Sequence, residues 1–190
     1  MSEEEKQKFE ELREALEPIP QYFLKNYQFL TEEIQRSHEP VFYHIKKVYD
    51  FIDCYKREYI DKFAVCKPGC AACCKIDVSL TLAEAEYIAF SCKIRMDYGE
   101  NQTSSHRSPC PFLSGDDYCK IYEVRPLNCR TFHAAANPGM CSPEDKANVL
   151  YGHAGRGYGD PIFAHMATMF WKIFNGSRLP RDIRDFFPLN

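Results

Sequence analysis

Hydrophobic residues recur at helical spacing in several parts of the chain. A capping box at residues 2–5 precedes apolar positions three or four apart, which predicts an amphipathic helix that ends by Pro18. After Pro40, apolar and aromatic residues recur every three or four positions as far as Tyr59, which predicts the longest helix of the chain. The aromatic stretch at 22–34 has a less regular spacing.

Shorter elements are predicted around the middle of the chain. Residues 76–80 alternate apolar and polar side chains, as a short strand does. Thr81 and Glu84 form a second capping box, which begins a helix that runs to Lys93. Residues 97–109 contain no aliphatic residue and many turn formers, so we expect an exposed loop.

The last third of the chain carries two helix start signals, at 142–143 and at 160–161, each a capping residue followed by proline. The second predicts a final amphipathic helix that ends near Gly176. The glycine-rich segment at 152–159 lacks the preceding strand and the glycine spacing of a dinucleotide-binding loop, so we interpret it as a connector.

These patterns predict a mainly α fold with at most short β-strands. The 190 residues can bury one ordinary hydrophobic core, and 45% hydrophobic with 27% charged residues is typical of a folded globular protein. We expect a single helical domain over 1–190, in which an irregular cysteine-rich segment, 64–142, packs against helices from both ends.

Charge and terminal composition exclude some partners. The formal net charge of -3 gives no basic surface for nucleic acid. The first residues are acidic where a secretory signal would be basic, and no apolar run approaches the ~20 residues of a membrane span. We therefore expect a cytoplasmic protein, in a compartment that keeps thiols reduced.

Ten cysteines are the main chemical feature of the sequence. Four of them fall within residues 66–74, together with a proline-glycine pair, which is the kind of tight loop that directs several thiolates at one metal centre. Cys54 and Cys92 lie on predicted helices and are interpreted as core residues. The candidate metal ligands are Cys66, Cys70, Cys73, Cys74, Cys110, Cys119, Cys129 and Cys141. An even count also permits five disulfides, although a reducing compartment disfavours them.

The spacing does not choose the metal, because tetrahedral thiolate sites suit both zinc and iron-sulfur clusters. Eight thiols exceed what one structural zinc uses, so an iron-sulfur cluster is slightly favoured. Cys73 and Cys74 are adjacent, and neighbouring side chains in an extended backbone point opposite ways. They either serve two sites or leave one thiol spare. The remaining thiols are available to bind a second metal, to shuttle electrons or to accept methyl groups.

A few other residues are candidates for supporting roles. His106 and His133 each lie four positions from a cysteine, which permits mixed cysteine and histidine ligation of zinc, although the cysteines alone suffice. Arg125 and Arg130 are the cations we expect nearest the sulfur atoms. No nucleophilic triad or phosphate-binding loop is evident, so neither catalytic nor cofactor-binding residues are assigned.

The cysteine pattern resembles the CxxCxxCC cysteine-cluster family of zinc- or iron-chelating domains. The shared motifs are the run at 66–74, Cys-Pro-Phe-Leu from Cys110, Cys-x-Ile-Tyr-x-x-Arg-Pro from Cys119, Cys-Arg-x-Phe from Cys129, and the trailing Cys141. Two features depart from the pattern, the three residues between Cys66 and Cys70 and the polar His133 after Phe132. The resemblance implies metal chelation. Similarity to a flagellin lysine methylase implies a 4Fe-4S cluster used together with S-adenosylmethionine.

The leading hypothesis is a metal-binding protein that holds an iron-sulfur cluster or zinc through eight cysteines. One alternative is a cluster-dependent methyltransferase or redox enzyme that acts on a protein substrate, with S-adenosylmethionine as a candidate cofactor. The other is a zinc-stabilised interaction module without chemistry. The sequence leaves open the metal and its count, catalysis, the substrate and the oligomeric state.

Overall fold

The structure of the chain is a computed structural model. It describes residues 7, 10, 11, 14, 16–66, 69–106, 108–135, 150–152, 158–174 and 179–188. The helices are α1 (Gln21–Arg36), α2 (Val41–Glu58), α3 (Leu82–Cys92), α4 (Leu127–Arg130), α5 (Pro161–Phe174) and α6 (Ile183–Phe186). The strands are β1 (Ser79–Leu80), β2 (Phe132–Ala134), β3 (Leu150–Gly152), β4 (Tyr158–Gly159) and β5 (Arg181–Asp182). Short 3-10 turns occupy Ile60–Lys62, Ala72–Lys75 and Tyr122–Val124.

This inventory confirms the predicted mainly α class with short strands. The described positions of the first predicted helix, from Gln7 to Glu14, are helical. The helix start expected at 142–143 and most of the connector lie outside the described residues. None of the helices in the described part of the chain is long and apolar enough to cross a membrane.

The first hydrophobic cluster of the fold is built mainly by α1, α2 and α5. The longest helix, α2, begins after Pro40 as predicted and buries Ile45, Val48 and Ile52 completely. The aromatic stretch whose spacing looked irregular is also a helix, α1, because Phe23, Leu30 and Ile34 still reach one face of it.

Helix α5 begins at Pro161, where the sequence predicted it. The carboxylate of Asp160 caps it by accepting a hydrogen bond from the Phe163 amide at 2.9 Å. The same fully buried carboxylate accepts hydrogen bonds from the hydroxyls of Tyr55 at 2.7 Å and Tyr151 at 2.6 Å. One side chain thus ties α5 to α2 and β3.

Helix α3 joins the first cluster to a second one. Its capping box is confirmed, since the Thr81 hydroxyl accepts from the Glu84 amide while the Glu84 carboxylate accepts from the Thr81 amide. Ala83 packs in the first cluster, whereas Ala85 and Ile88 pack in the second. The second cluster also contains β1, α6 and several cysteines.

Glu84 does more than cap its own helix. Its Oε1 atom accepts hydrogen bonds from the Tyr49 hydroxyl at 2.9 Å and from the Leu127 amide at 2.8 Å. The second bond holds the start of α4. Pro126 directly precedes this short helix, and its carbonyl accepts hydrogen bonds from the Cys129 amide at 3.0 Å and the Arg130 amide at 3.1 Å.

Two small sheets complete the fold. The predicted strand at 76–80 forms only over β1, which pairs antiparallel with β5 near the carboxyl end of the chain. In the other sheet β3 lies between antiparallel β2 and parallel β4. A Cβ atom at Gly152 would lie 2.2 Å from the carbonyl oxygen of Thr131, so this strand position requires glycine.

Candidate metal centre

Five cysteines pack in or against the second hydrophobic cluster. The four other than Cys92 of helix α3 come from four separate segments, and we call these four the four-cysteine group. They are Cys74, Cys110, Cys119 and Cys129. Cys74 lies in the 3-10 turn Ala72–Lys75, and its carbonyl accepts a 2.7 Å hydrogen bond from the Cys110 amide. Cys119 forms a β-bridge with Leu113, just after Cys110, and Cys129 lies on α4. Backbone hydrogen bonds therefore hold these segments around one apolar core.

The thiols of the group act on one another electrostatically. Burial raises the pKa of Cys129 well above its usual value, and the charges of Cys110, Cys74 and Cys119 raise it further. Burial also raises the pKa of Cys110 to about 11, with smaller contributions from Cys74 and Cys119. Such mutual repulsion between thiolates is relieved only by protons or by a cation, so the group is suited to exchange protons for metal.

Cys74 is the most acidic thiol of the group. The largest effect on Cys74 is a hydrogen bond donated by the neighbouring Cys73 thiol, which lowers the pKa of Cys74. Burial acts in the opposite direction, and the charge of Arg184 lowers the pKa again, so that it falls to about 7. The same hydrogen bond and burial raise the pKa of Cys73. Because both residues lie in a 3-10 turn rather than an extended segment, their side chains leave the backbone about 120° apart.

Cys66, Cys70 and Cys73 form a second, adjoining set. The Cys66 sulfur accepts a hydrogen bond from the Ala134 amide at 3.2 Å, so it lies against the end of β2. Burial raises the pKa of Cys66, and the charge of Cys70 raises it further. The negative charges of Cys129 and Cys66 both raise the pKa of Cys73, so this thiol lies near members of both sets.

Buried arginines surround the four-cysteine group. Arg184 on α6 is 8% exposed and donates to the carbonyls of Ser108 at 2.9 Å and Cys74 at 3.4 Å. It also pairs with Asp182 at 2.9 Å. No local pattern singles out Arg184, because it lies far from the cysteines along the chain. The pairing of β1 with β5 brings it beside them.

The two arginines expected near sulfur have different roles. Arg125 is buried, and its charge lowers the pKa values of Cys119 and Cys129, against the larger effect of burial. Arg130 is 1% exposed and donates to the backbone carbonyls of Arg125, at 2.8 Å, and Glu123. It therefore holds the chain between Cys119 and Cys129 in place.

The two histidines proposed as alternative ligands are placed differently. His106 has both ring nitrogens engaged, Nδ1 with Asp77 at 2.7 Å and Nε2 with the Thr103 hydroxyl at 2.6 Å. His133 is 2% exposed, and its Nε2 has no hydrogen-bond partner. Burial, followed by the nearby Lys56 charge, lowers the pKa of His133 to about 4, so its imidazole is neutral at pH 7.

The closest grouping of possible ligand atoms lies outside the cysteines. Asp77, His106 and Asp182 have ligand atoms within 4.8 Å of one another. In the part of the chain that the structure describes, no three cysteine sulfurs meet that limit. A single tetrahedral zinc places sulfur atoms about 3.8 Å apart, as follows from its Zn–S bonds of about 2.3 Å.

Cys54 and Cys92 are free thiols like the other cysteines that the structure describes. The nine cysteines in the described residues form no disulfide with one another. The thiol of Cys54 on α2 donates a hydrogen bond to the Glu58 carboxylate at 3.1 Å, away from the four-cysteine group. Cys92, expected in the core, packs partly buried against the second cluster, where its charge contributes to the raised pKa of Cys119. Cys141 lies outside the described residues.

Free thiols that cluster on irregular segments, with helices packed around them, are typical of a metal-chelating domain. Comparison with family models agrees. Residues 65–150 match the model of the CxxCxxCC family, described as "Putative zinc- or iron-chelating domain", which confirms the resemblance seen in the sequence. Searches of curated proteins and of solved structures found no match.

Proposed function

We propose that the protein binds a 4Fe-4S cluster and that the four-cysteine group supplies its ligands. The observation that carries the proposal is the convergence of four thiols, from four segments, in one hydrophobic cluster. An iron-sulfur cluster of this type takes four cysteine thiolates. The eight-cysteine set expected from the sequence thus separates into these four, an adjoining three, and Cys141.

The charges around the group support this ligand set. Four thiolates on a 4Fe-4S core leave a net negative charge that needs nearby cations and hydrogen-bond donors in a buried site. Arg184 and Arg125 supply two buried positive charges, and each lowers the pKa of a thiol in the group.

The spacing of the sulfur atoms also favours a cluster over one zinc ion. A cubane carries each thiolate on a separate iron, so its four sulfur ligands lie farther apart than those on a single tetrahedral ion. The described cysteines are close enough to act on one another, yet no three sulfurs lie within 4.8 Å. The zinc-stabilised interaction module remains the alternative.

A bound cluster would supply electron transfer, either alone or with S-adenosylmethionine. The four cysteines would hold it, and the apolar residues around them, such as Ile121 and Phe186, would limit access of water. A protein substrate, a cytoplasmic location and a single-domain organisation stay predictions.

Anaerobic purification with metal analysis and visible absorption tests the proposal. We expect a brown protein that contains about four iron and four sulfide per chain. Cys129→Ser should lose the colour and most of the iron, because it removes a buried ligand. Cys54→Ser is the matched control. It should keep the colour and the iron, since the Cys54 thiol hydrogen-bonds to Glu58 outside the four-cysteine group.

The outcomes separate the hypotheses. A colourless protein with stoichiometric zinc would refute the cluster and favour the interaction module. Absence of both metals, with paired disulfides, would refute metal binding altogether. If the cluster is present, a thermal shift with S-adenosylmethionine that is lost in Cys129→Ser would favour the methyltransferase, whereas no shift would favour electron transfer alone.

A further inference from the structure

We infer that His106 is a pH-dependent switch. In its protonated form it completes a row of hydrogen bonds that fastens the loop of residues 97–106 to helix α6, and in its neutral form the row lacks one bond. The inference goes beyond the proposed function and does not depend on it, because no residue of the row is a proposed metal ligand. It rests on the number of hydrogens that the row requires.

Three contacts form the row, and they join three separate parts of the chain. The His106 Nδ1 atom lies 2.7 Å from Oδ1 of Asp77, just before β1. The Nε2 atom of the same ring lies 2.6 Å from the hydroxyl oxygen of Thr103. That hydroxyl is also within hydrogen-bonding distance of Oδ1 of Asp185 on α6. The row therefore runs from the segment before β1, through the loop, to α6.

Each contact needs one hydrogen, so the row needs three. Ionised carboxylates only accept, and aspartate is ordinarily ionised above about pH 5. The Thr103 hydroxyl supplies one hydrogen and a neutral imidazole supplies one, which leaves one contact without any. A doubly protonated imidazole supplies the third. Nδ1 then donates to Asp77, Nε2 donates to the Thr103 oxygen, and the hydroxyl donates to Asp185, so the charged ring satisfies all three contacts.

Acidic groups predominate around the ring among the residues that the structure describes. Asp182 of β5 places Oδ1 3.7 Å from Nδ1, while Asp77 and Asp185 lie at the two ends of the row. Arg184 of α6 pairs with Asp182 at 2.9 Å, and Arg181 of β5 donates to backbone carbonyls of the loop. Loss of the ring's second proton therefore removes the positive charge that lies between Asp77 and Asp185.

Other hydrogen bonds hold the loop whether or not the ring is charged. The Thr103 amide donates to Oδ2 of Asp185 at 2.8 Å, and the amides of Ser105 and His106 donate to the Asp77 carboxylate at 2.6 Å and 3.0 Å. Burial raises the pKa of Asp77, but the hydrogen bonds from His106 and Ser105 outweigh burial and lower that pKa, so Asp77 remains an acceptor. Deprotonation of the ring thus loosens the loop without releasing it.

The switch acts on the segment that leads to Cys110. Histidine is the side chain whose charge ordinarily changes between about pH 5 and 8. The His106 side chain is 15% exposed, so it can exchange its proton with water. The chain continues to Ser108, whose carbonyl accepts a hydrogen bond from Arg184 at 2.9 Å, and then to Cys110. This segment is therefore held more tightly at low pH than at high pH.

Hydrogen exchange of the full chain as purified, followed by mass spectrometry, tests the switch. Exchange of peptides that contain Thr103 is measured at about pH 5.5 and about pH 8, on either side of the usual histidine range, and is corrected for the intrinsic rate at each pH. We expect protection about fivefold higher at the lower pH, the factor that corresponds to one hydrogen bond. His106→Gln should show the lower protection at both pH values, because its side chain does not titrate.

Two further variants complete the test. Thr103→Val keeps the amide bond to Asp185 but lacks the hydroxyl, so it should also lose the pH response, which a merely structural role of His106 would leave in place. His38→Gln removes an exposed histidine between α1 and α2 and is the matched control, which should respond as the wild type does. Circular dichroism should show that all variants are folded.

An unchanged protection in the wild type between the two pH values would overturn the switch. So would a full pH response in His106→Gln or in Thr103→Val. Because the measurement needs no metal, the result is the same whether or not the four-cysteine group takes up iron and sulfide, and the two proposals can fail separately.

Discussion

We expect a single substitution of Glu84 to affect both the hydrophobic core and the proposed metal site. Glu84 is 3% exposed, and its carboxylate accepts four hydrogen bonds. Two come from Thr81 at 3.0 Å, one from the Tyr49 hydroxyl and one from the Leu127 amide. The last bond fixes the start of α4, which carries Cys129.

Glu84→Ala should lower the free energy of unfolding by about 4 kcal/mol. The Leu127 amide and the Tyr49 hydroxyl would each be buried without an acceptor, at about 1–3 kcal/mol apiece. Loss of the reciprocal cap with Thr81 adds about 1 kcal/mol. Glu84→Gln keeps one oxygen that can accept two of the four bonds, so it should cost about 2 kcal/mol.

Urea unfolding followed by circular dichroism measures this effect. With a slope near 2 kcal/mol per molar, the midpoint of Glu84→Ala should fall by about 2 M while the slope is unchanged. Glu86→Ala, two positions along the same helix, is the control and should shift stability by no more than about 0.5 kcal/mol. A loss below 1 kcal/mol in Glu84→Ala would refute the assigned role.

Three other substitutions test particular contacts. Arg184→Gln removes a charge that lowers the pKa of Cys74, so that pKa should rise above about 7, as the pH dependence of Cys74 alkylation with peptide mapping would show. Burial raises the pKa of Asp160 in the folded protein. The folded state therefore binds the proton more readily than the unfolded chain, and wild type should gain stability relative to Asp160→Asn as pH falls from above the folded pKa toward the unfolded value near 3.9. A relative loss on acidification would contradict this direction. Gly152→Ala should destabilise the protein by about 2 kcal/mol or more because its Cβ meets a carbonyl oxygen, whereas Gly115→Ala, with open space around it, should change little in thermal unfolding.

Local signals predicted the helices well. The repeat of apolar residues after Pro40 predicted α2, and the capping box of Thr81 with Glu84 predicted the start of α3. These signals involve residues within one or two helical turns of each other, so the helices can be predicted from the local sequence alone. Asp160 before Pro161 predicted α5 for the same reason.

Tertiary contacts explain what the sequence did not predict. The two-residue strand β5 exists because it pairs with β1, and nothing local in Arg181–Asp182 indicates a strand. Glu84 was predicted as a cap, but its bond to Leu127 depends on how α3 and α4 pack. For His133, the polar departure from the family pattern was visible in the sequence, but the unpartnered Nε2 appears only once burial and the Arg130 contact are known.

The position of Arg184 shows how the end of the chain supports the cysteine loops. Its guanidinium donates to carbonyls in both the turn that carries Cys74 and the segment before Cys110, while Asp182 accepts the Val78 amide at 2.7 Å. On the cysteine segments these bonds use backbone carbonyl and amide groups and do not involve the sulfur atoms. The two segments can therefore be held in register before any metal binds, which lowers the ordering cost that metal binding must otherwise offset. Helix α6 thus supports the proposed metal site, although we assign it no ligand.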